Sequence, residues 1–545
     1  MNKDINVAYF SAEVGINESI KTYSGGLGIL AGDTIKAMAD LEVPFCAMTL
    51  LYKYGFFKQE INDEDRQQEL NDPWDYESIL EDTGLETSLT IRNTKIIVKI
   101  WKYEYTGETG HKVPIYFLDT HHKENPDWAK ELTEHLYVGD RIAQELLLGV
   151  GGYRALEVLG HTDLGTYHMN EGHSAFLTLE MYKDLGEKTG VWENQQVIDK
   201  CVFTTHTPIP AGHDKFEYSD FYNAIEGEDN LAPWHLKELA GEDKLNMTKL
   251  ALSLTRYTNA VSRKHAQVSR EMFPGRDIDY ITNGIHTTTW TCSYMKALYD
   301  NYILGWREDS TKLRDVFKIP NSEIFKAHNQ AKEDLINHVN SVNITGAKLD
   351  SKVLTIGFAR RFIQYKDAEM IFSNLDDLKR VGKKVQFIFA GKAHKHDGLG
   401  KEIMKRIIDR AKDLKDDISI AFIENYNIAV AKKLISGCDL WLNTPIPPNE
   451  ASGTSGMKGA VNGCSHFSRL DGWAIESYEM NGGGFPISEY ADFIATLEYK
   501  IIPMFNSENK TSWIEQMKSS IGNSGSYFNT HRMAKEYLEK AYKLK

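Results

Sequence analysis

Short apolar runs and helical apolar stripes alternate along most of the chain. Residues 6–10 (Asn-Val-Ala-Tyr-Phe) predict a buried strand. After Gly25, Gly26 and Gly28, residues Leu27, Leu30, Ala31, Ile35 and Met38 fall at helical spacing, and Pro44 closes that unit. Residues 45–51 read as a second strand. Residues 95–105 and 112–118 flank a Gly-Glu-Thr-Gly turn and predict one antiparallel excursion. Residues 129–150 carry a helical pattern expected to end at Gly149, Gly151 and Gly152. Further strands are expected at 166–170, 202–207, 260–262 and 280–284, with helices between them. A polar helical region near 295–350 separates this series from a second one, with apolar runs at 353–359, 385–391, 418–423 and 440–442. Ala534, Tyr537, Leu538 and Ala541 mark an amphipathic terminal helix. The pattern predicts an α/β protein with two open, mainly parallel sheets.

Composition narrows the class without naming a function. At 545 residues the chain is long enough for two large domains, and its 41% apolar and 26% charged content suit a soluble globular protein. A net charge of −14 argues against broad binding to nucleic acid or an anionic membrane. The five cysteines form no CxxC pair and no zinc spacing, so reduced thiols, no metal and a cytoplasmic setting are expected. No signal peptide and no run of membrane-spanning length is visible.

In open α/β sheets ligands sit beyond the carboxyl ends of the strands. Those ends carry Glu13, the Gly25–Gly28 loop, His173, His206 and Asn283 in the first half. In the second half they carry Arg360, Arg361, Lys366, Lys392, Tyr426 and the stretch from Glu450 to Lys458. A glycine loop before a helix suits an anion or a sugar hydroxyl, although a tight turn alone would also explain it. Two arginines directly after an apolar strand are placed for phosphate. Lys458 follows Glu-Ala-Ser-Gly-Thr-Ser-Gly-Met; on this reading it is either a point charge or an amine for an aldehyde cofactor. Isolated histidines after strands are more often structural than catalytic.

These residues together resemble the α-glucan phosphorylases. The stretch Glu450-Ala-Ser-Gly-Thr-Ser-Gly-Met-Lys458 resembles that family's cofactor-lysine segment. Gly357-Phe-Ala-Arg-Arg-Phe-Ile-Gln-Tyr-Lys366 resembles its phosphate segment, and Tyr23-Ser-Gly-Gly-Leu-Gly-Ile-Leu-Ala-Gly-Asp33 its glycine loop. Thr282-Asn-Gly-Ile285, Asn425-Tyr426, Asn462-Gly463 and Leu470-Asp471-Gly472 also fit.

The resemblance implies two Rossmann-like domains facing a deep cleft (the GT-B type), covering 1–295 and 296–515, with a helical segment 516–545 crossing back onto the first. It implies transfer of a terminal α-1,4-glucosyl unit of an α-glucan or maltodextrin to inorganic phosphate, giving α-D-glucose 1-phosphate with retention. Lys458 would hold pyridoxal 5′-phosphate as a Schiff base, with Arg360, Gly26, Thr454 and Tyr426 around the cofactor. Arg361 and Lys366 would hold substrate phosphate. Glu13, Gly25, Leu27, His173, His206, Asn283, Tyr365, Glu450, Ser452 and Gly453 would line the sugar side. A homodimer is expected from the resemblance. Because the chain begins almost at its first strand, an unregulated enzyme is expected. The sequence departs from the family at Ser455-Gly456-Met457, where many members have Gly-Asn-Met, at Ile363 for histidine and at Glu171 for aspartate. A retaining nucleotide-sugar glucosyltransferase would share the fold and the basic site, but not the need for Lys458.

Overall fold

The computed structural model describes residues 5–162 and 164–544. The chain divides into two units, one of Met1–Phe56, Asn71–Thr282 and Met533–Lys545, the other of Phe57–Leu70 and Asn283–Arg532. The division falls at Thr282/Asn283, and the connecting helices after it belong to the second unit.

The first unit is built on a nine-stranded sheet. Its strands are β1 (Val7–Ser11), β2 (Phe45–Leu50), β3 (Glu81–Ile91), β4 (Thr94–Thr106), β5 (Lys112–Asp119), β6 (Thr166–Asn170), β7 (Cys201–Thr204), β8 (Tyr257–Ala260) and β9 (Asp279–Tyr280). The order across the sheet is β9-β8-β7-β6-β1-β2-β5-β4-β3. Every neighbouring pair from β9 to β5 is parallel, and β4 and β3 extend the edge antiparallel. Alternate residues of β1 and β2 serve opposite faces, as the two-residue pleat requires. Ala8, Phe10, Cys46 and Met48 enter one core, while Val7, Tyr9, Phe45 and Ala47 enter the other. Met533, Ala534, Tyr537, Ala541 and Tyr542 from the C-terminal segment complete the second of these cores.

One helix departs from the expected course. Arg141–Leu146 runs on through Leu147–Gly151 into Gly152–Val158, so the glycines do not end it. They serve close packing instead. A Cβ on Gly149 would lie 2.6 Å from the Leu177 backbone nitrogen, and one on Gly152 would lie 2.7 Å from the Phe10 ring.

The second unit holds a six-stranded, wholly parallel sheet of β10 (Leu354–Ala359), β11 (Val385–Ala390), β12 (Ser419–Ile423), β13 (Leu440–Asn443), β14 (Ser465–Arg469) and β15 (Gly484–Ile487). The order is β12-β11-β10-β13-β14-β15. β10, β11 and β13 are buried along their whole length, which is why they read as unbroken apolar runs. A hairpin of Lys58–Ile61 and Gln67–Leu70 joins this unit despite its early place in the chain. Gln59 Nε2 donates to the Gly391 carbonyl at 2.9 Å, and Gln67 Nε2 donates to the Ala393 carbonyl at 2.9 Å.

Counted in chain order, the parallel strands of both sheets follow the doubly wound order 3-2-1-4-5-6, with β9 as a seventh in the first. Each sheet therefore has a switch point where its strand order reverses, between β1 and β6 in the first and between β10 and β13 in the second. Loops leaving the carboxyl ends of these strands diverge and leave room for a ligand.

Candidate functional site

At the second switch point, buried charges from the two central strands converge. Arg360 follows β10 directly, and Lys366 sits in the short turn Gln364–Lys366 beyond it. Asn443 ends β13, and Glu450 lies in the loop that follows. Arg360 Nη2 donates to Glu450 Oε2 at 2.6 Å, and the Lys366 ammonium bonds to the same oxygen. Arg360 also donates to the Asn443 side chain. The two loops are stitched together by Ile446 N–H donating to the Tyr365 carbonyl at 2.8 Å. Thr444 Oγ1 donates to the Lys366 and Asp367 carbonyls, each at 2.9 Å.

Burial sets the protonation of this cluster. It pushes the Lys366 ammonium down to about 8, aided by Arg360 and opposed by Glu450. Burial would raise Glu450, but Arg360 and Lys366 outweigh it and hold the carboxyl at about 2. At neutral pH two cations thus share one carboxylate, and the cluster carries net positive charge. Tyr365, its ring 4.6 Å from the Lys366 nitrogen, is raised to about 12 by burial and by Glu450.

Beyond Glu450 the chain passes Ser452, Gly453 and Thr454 into the helix Ser455–Ala460. Trp441 Nε1 donates to Ser455 Oγ at 2.9 Å and ties the helix start to β13. Lys458 is buried, with its ammonium 4.0 Å from the Trp290 ring centre. Asn462 locks that pairing. Its Nδ2 donates to the Trp290 and Lys458 carbonyls, both at 2.9 Å, and its Oδ1 accepts the Cys292 N–H at 2.8 Å. Gly456 is required, because a Cβ there would lie 2.7 Å from the Trp473 ring.

At the first switch point, carboxylates are bound to backbone. Glu13 follows β1, and its Oε2 accepts N–H bonds from Ser24 (2.6 Å) and Gly25 (3.2 Å). Tyr137 Oη donates to Glu13 Oε1 at 3.0 Å. Glu13 therefore shapes the glycine loop, and Gly25 turns its N–H inward. Gly28 is needed for this, since a Cβ would lie 2.8 Å from Glu13 Oε2. The helix Gly26–Asp40 begins here, and its first-turn N–H groups have no acceptor within the helix.

Glu171, at a left-handed φ of 78° after β6, accepts the N–H of Gly172 (2.9 Å) and of His206 (2.7 Å). His206 Nε2 pairs with Asn170 Oδ1 at 2.6 Å, Asn170 Nδ2 donates to Ser11 Oγ, and Ser11 Oγ donates to the Glu13 carbonyl. Burial drops His206 to about 3, so it stays neutral. His173 stands 3.3 Å from Asp214 and is also lowered by burial, with Asp214 opposing.

The remaining sequence candidates take other positions. Arg361 is exposed. Tyr426 follows the edge strand β12. Asn283 falls in the second unit, where its carbonyl accepts from Arg532 at 3.1 Å. Sequence reasoning missed Asn443, Tyr137 and Asp214, and gave Asp471 and Asn462 no role. Asn443 and Asp471, at or just past strand ends, could have been found by the rule that found Arg360.

A family model described as carbohydrate phosphorylase matches residues 17–106 and 218–487. The chain is 35% identical, over 98% of its length and 70% of the other's, to a maltodextrin phosphorylase of Thermococcus litoralis. It is 34% identical to a glycogen phosphorylase of Aquifex aeolicus, over 98% of this chain and 86% of that one. This chain belongs to the carbohydrate phosphorylase family. An uncharacterized protein of Methanocaldococcus jannaschii, 30% identical and aligned over 98% of this chain and 99% of its own, is a similar relative of matching extent.

For a carbohydrate phosphorylase, the donor set around Lys458 is chemically suited to a phosphate-bearing aldehyde cofactor. A buried amine stands against an aromatic wall, small residues precede it, and Arg360 and Thr454 offer a guanidinium and a hydroxyl in the same unit. Among the described residues, no helix is long and apolar enough to cross a membrane.

Proposed function

We propose that this protein is a pyridoxal-phosphate-dependent α-1,4-glucan phosphorylase, releasing terminal glucosyl units to inorganic phosphate as α-D-glucose 1-phosphate with retention. The observation that carries the reading is the buried Arg360–Glu450–Lys366 cluster at the second switch point. Family membership supplies the reaction class.

In this reading Lys458 holds the cofactor, with Arg360, Thr454, Gly26 and Tyr426 around it. When bound, the cofactor supplies a phosphate that exchanges a proton with substrate phosphate. Lys366 and Arg361 hold the substrate phosphate. A dianion beside Lys366 offsets the burial that lowers its pKa and keeps the ammonium charged. Glu450 presents the carboxylate oxygen not bonded to the two cations towards the sugar. Ser452, Gly453, Tyr365, Asn283, His173 and the His206 carbonyl complete the sugar contacts. Glu13 acts through the glycine loop, fixing Ser24 and Gly25 so that Leu27 offers its N–H near the reacting centre. Retention follows from attack by phosphate on the face the leaving group vacates, with charge and position set in advance.

Maltodextrin and phosphate supplied to the purified protein should yield glucose 1-phosphate, and Lys458→Ala should abolish both the pyridoxal chromophore and the activity. A protein that cannot be loaded with pyridoxal phosphate, or that transfers glucose only from a sugar nucleotide, would overturn the reading.

A further inference from the structure

The segment Asp471-Gly472-Trp473, just past β14, grips the stretch Glu450–Gly453 from behind. Asp471 is buried, and both its oxygens accept backbone N–H groups, Oδ2 from Glu450 and Oδ1 from Gly472, each at 2.9 Å. Trp473 N–H donates to the Ser452 carbonyl at 3.1 Å. Gly472 adopts a left-handed φ of 55°, and a Cβ there would lie 2.4 Å from the same Ser452 carbonyl oxygen. The Trp473 indole lies against Gly453 and Gly456, where added Cβ atoms would meet it at 3.5 and 2.7 Å. The ring is itself wedged between His466 and Phe528, with ring centres 5.0 Å away in each case.

We propose that Asp471, Gly472 and Trp473 form a positioning clamp that fixes the Glu450–Gly453 backbone and so sets the affinity for the glucosyl unit. The proposal rests on the functional reading above, in which Glu450, Ser452 and Gly453 contact the sugar. None of the three clamp residues touches substrate; they act through the residues that do. Arg360 and Lys366 fix the Glu450 carboxylate from one end, and Asp471 fixes its main chain from the other.

The clamp carries a pH signature. Burial raises the Asp471 carboxyl to about 6, with Glu450 adding to the shift and Lys366 and the two N–H bonds opposing it. Tyr365 also faces this carboxyl and is uncharged across the range concerned. Protonating one oxygen forfeits one of its two N–H bonds, so sugar affinity falls as pH drops through about 6. The fold responds with the opposite sign. A carboxyl raised on folding binds its proton more tightly in the folded state, so falling pH relieves the cost of burying its charge. A purely structural carboxylate would not separate affinity from stability in this way.

The test is calorimetric titration of the pyridoxal-loaded protein with a short maltodextrin between pH 5 and 8, with inorganic phosphate titrated in parallel. Asp471→Asn should weaken maltodextrin binding about tenfold, change phosphate binding by less than about twofold and abolish the loss of affinity below pH 6. Trp473→Phe keeps the N–H to Ser452 and shrinks the wall behind Gly453, so it should weaken maltodextrin binding about threefold, which covers the case of an Asp471 variant that does not fold. If both variants bind maltodextrin as the wild type does, or lose phosphate and maltodextrin affinity equally, the clamp is wrong and the functional reading stands. If the wild type binds no maltodextrin, the functional reading fails and the clamp falls with it.

Discussion

The two switch points share a strand order and differ in chemistry. At the first, buried carboxylates (Glu13 and Glu171) accept main-chain N–H bonds, and nearby His206 is neutral. At the second, a buried carboxylate is held by two buried cations. The first arrangement spends its charge on the chain itself and presents shaped backbone, which suits hydroxyl groups. The second keeps an excess of positive charge behind low-dielectric walls, which suits phosphate. Topology thus fixes where a ligand can sit, and the residues at the strand ends decide its charge.

The sharpest way to break this contrast is to remove a cation. Lys366→Ala should lower kcat/KM for phosphorolysis about a thousandfold, because the proposed function has this ammonium hold the reacting phosphate. Loss of less than about tenfold would mean that the second switch point is not the phosphate site.

Next in size is Glu450→Ala, which leaves two buried cations unpaired and should cost about 3 kcal/mol of stability in phosphate-free buffer. Thermal melts should recover much of that loss on adding inorganic phosphate. Glu13→Gln removes a charge held by Ser24, Gly25 and Tyr137, so it should lower kcat/KM about tenfold, with any stability loss indifferent to phosphate. Equal rescue of both variants by phosphate would erase the distinction between the two regions.

The smallest effect is a pH dependence. With Lys366 lowered to about 8, activity at subsaturating phosphate should fall above that pH, while saturating phosphate should move the limb upward. Stability follows the other sign. A lysine lowered on folding loses its proton first in the folded state, so this residue's contribution to stability rises between its folded value of about 8 and its ordinary range. Lys366→Arg should remove the alkaline limb in initial-rate assays.

Much of this was legible in the sequence where local pattern and burial coincide. β10, β11 and β13 are covered on both faces, and their apolar runs marked Arg360, Lys366 and Glu450 as strand-end residues. β3 was missed because its exposed stretch Glu81–Glu86 is mostly polar, and it is recognisable only through its pairing with β4. The Lys58–Leu70 hairpin was missed for a related reason: periodicity cannot say which core a polar hairpin joins. The glycines near 150 misled because glycine marks close packing as well as helix ends. Tyr137 and Asp214 reach the first switch point by tertiary folding, from positions with no strand-end signal.

The C-terminal segment bears on how the chain matures. Tyr542 Oη pairs with His168 Nδ1 at 2.7 Å, and Tyr537 Oη with Thr204 Oγ1 at 3.1 Å and Asn259 Nδ2 at 3.0 Å. Three neighbouring interior strands of the first unit, β6, β7 and β8, thus find polar partners in residues made after the whole of 283–532. At roughly 5–20 residues per second, a ribosome needs on the order of 10–50 s to cross that interval. During that time the earliest-made sheet waits with His168, Thr204 and Asn259 bonded to one another but lacking their tyrosine partners, while the later-made unit can already close. A released chain ending at Arg532 should therefore be cut by protease within the first unit and spared in the second.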